Sequence, residues 1–448
     1  MKNVQQIEAG PPSPDFLPNH GLVPRVGLLP LPENFYSMKS LALSVTALLF
    51  AAHTIFAQNI AEKKLQKHVS YLASDKLKGR GTGTEEERKA AKYIAKQFKK
   101  IGLVPKGDNG TYLYNFTFKK SSDPHGGVAE NAPQVNSQNV AAYLDNGAAN
   151  TIIIGAHYDH LGLGNDHNSL EVNPAGKIHN GADDNASGTA GVIELARHFA
   201  QNGIKEQNNF LFLCFSGEEL GLVGSKKYAD APTIDFSKVN FMINMDMIGR
   251  LNAEKRLVVG GVGTAPDFVP TVTGLKGDLS IKLDSAGIGP SDHTSFYLKN
   301  IPVLFFFTGQ HSDYHKPSDD VDKVNFSGEK QVLEFAVRVI ESLDKKPKLT
   351  FQETKANQDN TPRFKVTLGI MPDYTWEGEG VHVDGVTDGK PAFKAGVQKG
   401  DIITSLGEFQ VKTIQDYMKA LAAFKKGDNT TVKVKRANEE KTLPVTFQ

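Results

Sequence analysis

The sequence predicts an α/β domain with a mostly parallel sheet, followed by a smaller domain rich in β-strands. Four segments are almost continuously apolar, which is typical of strands buried on both faces. They lie at residues 151–154, 210–215, 241–245 and 303–307. Segments with helical periodicity alternate with them, and this alternation indicates a three-layer α/β sandwich with helices on both faces of the sheet.

Three helices are predicted from apolar residues that recur every three to four positions. The first spans residues 85–101 and ends before Gly102, a favourable C-cap residue. The second covers residues 187–199. The last closes the domain with Val332 to Leu343 along one face.

Length and composition limit the classes of function. A chain of 448 residues is too long for one ordinary core and predicts two domains with additional segments. The net charge of +1 gives no reason to expect nucleic acid or an anionic membrane as a partner. A single cysteine, Cys214, excludes an intrachain disulfide, and its apolar surroundings predict a buried, inert thiol.

The composition changes twice along the chain. Residues 58–345 carry the α/β pattern, whereas residues 346–362 are polar and predict a linker. Residues 363–448 combine short strands, glycine-rich turns and one helix after Thr413.

The N-terminal region predicts export. Residues 38–57 combine a lysine after Met38, a short apolar core and Ala57, as in a secretory signal peptide that is cleaved after Ala57. The apolar stretch is too short for a membrane span, so we expect a periplasmic or extracellular protein without one. Residues 1–37 are interpreted as a disordered extension or a misplaced gene start. For residues 38–57, a buried N-terminal helix is the alternative to a signal peptide.

Side chains that suit metal binding follow successive predicted strands. They are His157, Asp159, Asp184, Glu218, Glu219, Asp246 and His315. Open α/β sheets bind ligands at the carboxyl ends of their strands, and zinc accepts imidazole and carboxylate ligands. Each residue alone has an ordinary explanation, such as a helix cap, a structural histidine or an exposed carboxylate. Their common placement favours a metal site.

Residues 60–345 resemble the co-catalytic di-zinc aminopeptidases, family twenty-eight of the metallopeptidases. The resemblance includes residues 72–80, and the segment Gly-Ala-Asp-Asp-Asn-Ala-Ser-Gly at 181–188 carries it most specifically. It implies a sandwich of the zinc exopeptidase type and two Zn²⁺ ions per chain. The ligands that it implies are His157 and Asp246 for one ion, Glu219 and His315 for the other, and Asp184 as the bridge.

The same resemblance implies the catalytic groups. A hydroxide that bridges the metals would attack the peptide bond, and three ligand carboxylates with this hydroxide balance the charge of two zinc ions. Glu218 would act as the general base, while Asp159 would orient the ring of His157. Tyr314 resembles the phenol that donates to the tetrahedral oxyanion, with a packing aromatic as the alternative.

Two further segments receive weaker assignments. Residues 291–293 resemble a family segment near the site, although a surface turn explains them almost as well. Residues 161–180 form a loop before the Asp-Asp pair and could line the pocket rim. In this loop we expect His167 and His179 to be exposed and not to bind metal.

Residues 363–448 resemble a PDZ domain of the bacterial periplasmic-protease type. The resemblance rests on residues 367–370, 395–397 and 400–403 and on the helix from Ile414. It implies that amides near Leu368 and Gly369 hold a terminal carboxylate while a peptide adds beside that strand. A module that packs without binding free peptide is the alternative.

The combined prediction is a secreted di-zinc aminopeptidase that acts on peptides. The alternatives are a related zinc exopeptidase or amide hydrolase, such as a carboxypeptidase or a cyclising single-zinc relative, and a non-catalytic binding relative. The presence of every expected ligand and of Glu218 argues against the non-catalytic alternative.

Overall fold

The structure, a computed structural model, describes most of the chain from residue 60 onward. The described residues are 60–120, 131–166, 168–354, 366–372, 376, 378–386, 389–437 and 439–447. The predicted signal peptide at 38–57, the segment 1–37 and His167 therefore lie outside the described residues. No described helix is long and apolar enough to cross a membrane.

In its described residues, the larger sheet region contains seven α-helices and nine strands. The helices are α1 (Glu62–Leu72), α2 (Glu85–Ile101), α3 (Gly188–Gln201), α4 (Val223–Asp230), α5 (Phe268–Leu275), α6 (His293–Tyr297) and α7 (Phe326–Asp344). The strands are β1 (Val104–Pro105), β2 (Leu113–Lys119), β3 (Gln134–Leu144), β4 (Asn150–His157), β5 (Asn208–Phe215), β6 (Val239–Met245), β7 (Arg256–Gly260), β8 (Ser280–Leu283) and β9 (Val303–Phe307). All four predicted buried strands and all three predicted helices are present, with ends that differ by a few residues.

The nine strands form one mixed sheet. Its order is β1-β3-β5-β4-β6-β9-β7-β8, with β2 also paired to β3. The four central strands β5, β4, β6 and β9 are parallel, whereas β3 and β7 run antiparallel to their inner neighbours. The carboxyl ends of the central strands therefore lie at one edge of the sheet.

Both faces of this sheet are buried under helices. Along β5, the side chains of Phe210, Phe212 and Cys214 enter the core beneath α1, α2, α3 and α7. The alternate residues Leu211 and Leu213 pack on the opposite face with residues of α4 and α6. Two-sided burial explains the unbroken apolar run and gives the three layers predicted from the sequence.

The second region is an antiparallel sheet with its own core. Its strands are β10 (Ile370–Pro372), β11 (Val381–Val386), β12 (Ile402–Leu406), β13 (Phe409–Gln410), β14 (Asn429–Arg436) and β15 (Glu439–Thr446), in the order β10-β11-β12-β14-β15 with β13 beside β12. Two helices, α8 (Pro391–Ala395) and α9 (Ile414–Ala422), belong to this region. Helix α9 starts at Thr413, where Thr413 and Asp416 form a reciprocal capping box.

The segment after α7 packs against the larger region. Leu349 is buried, and the ring of Phe351 lies 5.4 Å from that of Tyr297. The amide of Thr354 donates to the hydroxyl of Tyr297 at 3.0 Å. These contacts fix the start of the segment that was predicted as a linker, while residues 355–362 lie outside the described residues.

Candidate metal centre

The carboxyl ends of the central strands bring the predicted metal-binding side chains together. His157 is the last residue of β4, and Asp246 follows β6 directly. Glu218 and Glu219 follow β5 after a short turn, and His315 lies in the loop beyond β9. The parallel register aligns these ends, so residues far apart in sequence become neighbours.

Asp184 lies between the two imidazoles. Its Oδ1 is 3.3 Å from Nε2 of His157, and its Oδ2 is 3.3 Å from Nε2 of His315. Nε2 of His157 is also 3.4 Å from Asp246 Oδ1, and Nε2 of His315 is 3.1 Å from Glu219 Oε2. The five side chains thus form two groups that share Asp184.

The other ring nitrogen of each histidine faces a backbone carbonyl. Nδ1 of His157 lies 3.2 Å from the carbonyl oxygen of Asp159, and Nδ1 of His315 lies 2.7 Å from that of Asn168. When Nδ1–H donates to these carbonyls, Nε2 is left as an acceptor that faces the carboxylates. This tautomer is the one that binds a metal ion through Nε2.

Buried polar residues position the Asp184 loop. The carboxylate of Asp319 accepts from the backbone amides of Asp183 and Asp184 at 3.0 Å. The carboxylate of Asp183 itself accepts from the amide of Gly249 at 2.7 Å. Asp183 therefore has a structural role, whereas the side chain of Asp184 points to the two imidazoles.

Arg80 connects the loops around the site. Its fully buried guanidinium donates to the carbonyls of Leu72, Tyr158, Asn180 and Gly181 at 2.6–3.0 Å. Burial lowers the pKa of Arg80 to about 10, so this group keeps its charge at neutral pH. The charge lies close to the carboxylates of the site and offsets part of their mutual repulsion.

Asp159 lies beside the ring of His157, which it is predicted to orient. Its backbone carbonyl faces His157, while its carboxylate Oδ1 is 3.7 Å from Nδ1 of that ring. The carboxylate accepts from the hydroxyl of Thr82 at 2.8 Å and from the amide of Glu218 at 3.2 Å. Asp159 thus links the His157 strand end to the loop that carries Glu218.

His160 belongs to the site although the sequence did not predict it. It is buried, and its Nδ1 lies 2.7 Å from Glu219 Oε1 and 3.8 Å from Asp184 Oδ2. Its Nε2 has no hydrogen-bond partner among the described residues. Its position three residues after His157, in the run His-Tyr-Asp-His, is a weak signal that the ring returns to the same edge.

Three observations indicate that the side chains of this site suit metal ions. Side-chain atoms able to bind a metal lie within 4.8 Å of one another in His157, Glu218 and Asp246, and again in His160, Asp184 and Glu219. Oδ1 of Asp246 is buried without a hydrogen-bond partner among the described residues. Nitrogen and oxygen donors in these proportions suit zinc.

Two family models match the chain. Residues 139–340 match the model of peptidase family M28, and residues 349–447 match that of the PDZ domain. The chain contains an M28 peptidase domain and a PDZ domain. The first match covers the strands that carry His157 and Asp246 as well as the loop with His315.

Known proteins of similar sequence and fold include peptidases. Leucine aminopeptidase 2 of Arthroderma otae is 29% identical over 206 residues, which cover 38% of this chain and 39% of the relative. The chain spans about a third to two fifths of the length of the first curated relatives that it matches.

Two solved structures share the fold of the M28 domain. A zinc aminopeptidase from Bacillus subtilis superposes with a TM-score of 0.52 at 16% identity, covering 66% of this chain and 98% of that one. Glutaminyl cyclase from Porphyromonas gingivalis gives 0.51 at 16% identity, covering 63% and 98%. At these identities the likenesses establish the fold alone.

Glu218 lies beside the ligand groups of the M28 domain. Burial raises the pKa of Glu218 well above its ordinary value. The neighbouring carboxylates of Glu219 and Asp246 raise it further, and together they outweigh the opposite effect of His157. The environment therefore favours proton uptake by this carboxylate.

Glu219 has the opposite electrostatic environment. Burial alone would raise the pKa of Glu219, but the charges of His315 and His160 outweigh it and lower this pKa to about 2. Adjacent glutamates thus differ in their affinity for a proton. Glu218 is therefore suited to accept a proton, whereas Glu219 stays ionised.

Tyr314 stacks on the ring of His315. The ring centroids are 3.9 Å apart at an interplanar angle of 21°. The phenol also packs on Met247, Val258, Phe305 and Phe307. Burial and then the nearby carboxylates raise the pKa of Tyr314 well above its ordinary value, so the phenol keeps the proton that it would donate.

Residues 291–293 are buried, so the alternative of a surface turn is wrong. Ser291 Oγ accepts from Asn244 Nδ2 at 2.9 Å. Burial raises the pKa of Asp292 to about 7. His293 stacks on Phe305 with ring centroids 4.5 Å apart, and burial lowers its pKa to about 3.

The loop at 161–180 supports a candidate metal ligand. The amide of Leu170 and the hydroxyl of Ser169 both donate to the carbonyl of His315, at 2.9 and 3.1 Å. Among the described residues, His179 is not part of the two groups that could hold a metal ion, but the expectation that it is exposed is wrong. It is fully buried, with Nε2 2.7 Å from Ser169 Oγ, and burial lowers its pKa to about 4.

The predicted peptide-binding turn of the PDZ domain contains a left-handed glycine. Gly369 has a φ of 78°, and its amide donates to the Thr367 hydroxyl at 3.0 Å. A Cβ at Gly369 would lie 2.2 Å from Cβ of Lys390, which requires glycine there. Peptide binding by this turn stays a prediction.

Cys214 is buried as predicted, and burial raises the pKa of its thiol.

Proposed function

We propose that the protein is an exported di-zinc aminopeptidase that removes N-terminal residues from peptides. The observation that carries the proposal is the position of Asp184 between His157 and His315, 3.3 Å from each. A carboxylate placed in this way suits two ions that share one ligand. The named aminopeptidase relative and the shared fold support the same reading.

Five side chains would hold the two ions. His157 and Asp246 would bind one, Glu219 and His315 the other, and Asp184 both. His160 would hold Glu219 in place through the contact of 2.7 Å. When bound, zinc lowers the pKa of water to about 7 and polarises a carbonyl oxygen.

Glu218 would act as the general base. It takes a proton from the attacking water and transfers it to the amine that leaves. Its buried position among carboxylates favours proton uptake. Asp159 holds the backbone of Glu218 through the amide contact of 3.2 Å, so the base has a fixed position.

Tyr314 would donate its phenolic proton in a hydrogen bond to the oxyanion. The stack on His315 fixes the ring next to a ligand of the site. Its raised pKa keeps the phenol in the donor form.

A second candidate function is cyclisation of an N-terminal glutamine. The fold superposes on a glutaminyl cyclase as well as it does on an aminopeptidase. The two functions require different substrates, so a peptide with N-terminal glutamine tests the cyclase and an aminoacyl anilide tests the aminopeptidase. Cyclisation without release of an N-terminal residue would replace the first proposal.

The adjacent glutamates provide the sharpest test. Glu218→Gln keeps the shape of the side chain, so zinc content should stay near the two ions expected of the site. The rate should fall about 10²–10⁴-fold, mainly in kcat, because proton transfer is felt in the transition state. Glu219→Gln should weaken zinc binding instead. Elemental analysis and steady-state kinetics on an aminoacyl anilide measure both effects.

Two results would contradict these roles. If Glu218→Gln loses zinc while Glu219→Gln retains it, Glu218 is the metal ligand and Glu219 the general base. Full activity of Glu218→Gln with both ions bound would exclude the general base.

Export is proposed from residues 38–57, which lie outside the described residues. The mature chain should start at Gln58. N-terminal sequencing of the native protein tests this directly, and a mature chain that retains Met1 would refute it.

A further inference from the structure

A cleft lies between the M28 domain and the PDZ domain. On the M28 side its wall includes His293, Phe305 and Phe307. On the PDZ side its wall includes Trp376, Gly380 and Lys412. Its volume is about 250 Å³, below the roughly 300–1,000 Å³ of pockets for drug-sized ligands, so it fits one side chain better than a longer peptide.

The inner wall of this cleft continues into the metal centre. Phe305 and Phe307 pack with Met247 and Tyr314 in one apolar cluster. Met247 directly follows the candidate ligand Asp246, and Tyr314 stacks on the candidate ligand His315. The candidate ligands do not line the cleft themselves, so an apolar group bound there would be linked to the metal centre through the packing of Phe305 and Phe307 on Met247 and Tyr314.

The outer wall is held in place by a contact between the domains and by a stack within the PDZ domain. Lys282 Nζ donates to the carbonyl of Trp376 at 2.7 Å. The indole of Trp376 stacks on His382 with ring centroids 4.9 Å apart at 21°. Close by, the amide of Gly287 donates to the hydroxyl of Thr354, which ties the segment after α7 to the same rim. Trp376 is 37% exposed and thus keeps surface available for a ligand.

We propose that Trp376 of the PDZ domain forms the outer wall of the pocket for the first side chain of the substrate. This inference rests on the proposed aminopeptidase function. The aromatic rings of Phe305, Phe307 and Trp376 would enclose an apolar side chain such as that of leucine. The PDZ domain would then select substrates at the catalytic site itself, apart from any binding of a C-terminus in its own groove.

The chain offers a direct probe because Trp376 is its only tryptophan. In the zinc-loaded full chain, L-leucine hydroxamate should change the emission of Trp376 on binding. Glycine hydroxamate carries the same zinc-binding group without a side chain and should change it much less. Calorimetry on the same samples establishes whether each compound is bound.

A second protein controls for effects transmitted through the whole domain. The double variant Trp376→Phe with Phe393→Trp moves the reporter to helix α8, where residue 393 is 51% exposed and is not among the residues that line the cleft. Its emission should not respond to either hydroxamate. Binding of leucine hydroxamate without any change at Trp376, or failure of leucine hydroxamate to bind, would overturn the proposal.

Kinetics test the selection of substrates. Trp376→Ala should reduce the ratio of kcat/KM for leucine over alanine anilide about tenfold, the lower end of what one methylene in an apolar pocket is worth. Zinc content should stay unchanged, and Phe393→Ala should keep the ratio of the unaltered chain. An unchanged ratio in Trp376→Ala would overturn the role of Trp376.

The two proposals fail in different ways. If the zinc-loaded chain hydrolyses no aminoacyl anilide, the aminopeptidase function is wrong, whatever Trp376 reports. The chain could instead hydrolyse leucine anilide while the emission of Trp376 does not change and Trp376→Ala keeps the leucine-to-alanine ratio of kcat/KM. In that case the aminopeptidase function stands, and the proposal that Trp376 forms a wall of the substrate pocket is wrong.

Discussion

The M28 and PDZ domains each bury carboxylates, but they neutralise them differently. In the PDZ domain, Asp401 is fully buried and accepts from Nε and Nη2 of Arg436 at 2.7 and 2.8 Å. In the M28 domain, Asp184 and Glu219 have imidazoles as partners, and further carboxylates lie beside them. The charge of Asp401 is neutralised by a side chain of the same domain. The several carboxylates of the M28 site carry more negative charge than their imidazole partners offset, so this site suits bound cations.

Glu87 shows a third way to bury a carboxylate. It is fully buried on α2 and accepts from the amide of Gly83 at 2.7 Å and from the hydroxyls of Ser137 and Ser216. Burial raises the pKa of Glu87 to about 7 despite these hydrogen bonds. Three groups can thus offset the desolvation cost of a buried carboxylate: a metal ion at the candidate centre, the arginine beside Asp401 and the proton on Glu87. Each predicts a different response to mutation.

The largest effect is expected at Asp184. Asp184→Ala removes the carboxylate shared by both imidazoles, so both ions should be lost. Activity should fall well beyond the roughly 10–100-fold caused by loss of a residue that hydrogen-bonds to a metal ligand. Asp246→Ala is the control, since it should release mainly one ion. Elemental analysis of both variants measures this, and a fully loaded Asp184→Ala protein would remove Asp184 from the bridging role.

The proton on Glu87 predicts a pH dependence of stability. Because its folded pKa is about 7 and its ordinary value 4.5, this group makes the protein less stable as the pH rises from about 4.5 through 7. The loss amounts to at most about 3 kcal/mol. Glu87→Gln should abolish this part of the decline, measured by denaturation followed by circular dichroism. Glu85→Gln, an exposed change on the same helix, should retain it, and an identical decline in Glu87→Gln would contradict the assignment.

Breaking the pair in the PDZ domain should cost stability and leave the metal in place. Asp401→Asn leaves Arg436 without its charged partner and should lower the free energy of unfolding of the PDZ domain by about 2 kcal/mol. The value lies below that of a fully buried pair because the side chain of Arg436 is 28% exposed. Urea denaturation followed by the emission of Trp376 measures it. Loss of zinc in this variant would show that the two regions are not independent.

The smallest effect is expected at His160, which contacts Glu219 without completing the ligand set. His160→Ala should weaken zinc binding about tenfold, as loss of a partner of a ligand does. His160→Asn keeps a side-chain donor and should lose less. Competition with a chelator measures the affinities. Zinc loss as severe as in Glu219→Ala would make His160 a ligand itself, and an unchanged affinity would give it no role.

The sequence predicted most of the M28 fold because its signals are local. The apolar run at 210–215 requires burial on both faces, and Gly102 ends its helix as expected, with a φ of 94°. Most candidate ligands stand at or beyond a predicted strand end, whereas Asp184 follows a long loop and precedes α3. The exposure expected for His179 was wrong because its burial depends on the packing of Ser169 and of the His315 loop.

Sequence by itself therefore determined the order of elements and the types of donor at one edge of the sheet. Only the tertiary structure decided which donors meet. His160 and Glu219 are 59 residues apart, and their contact of 2.7 Å arises from the parallel pairing of β4 and β5. The cleft beside Trp376 likewise requires the PDZ domain to pack on the M28 domain, because long-range packing brings together residues that share no local pattern.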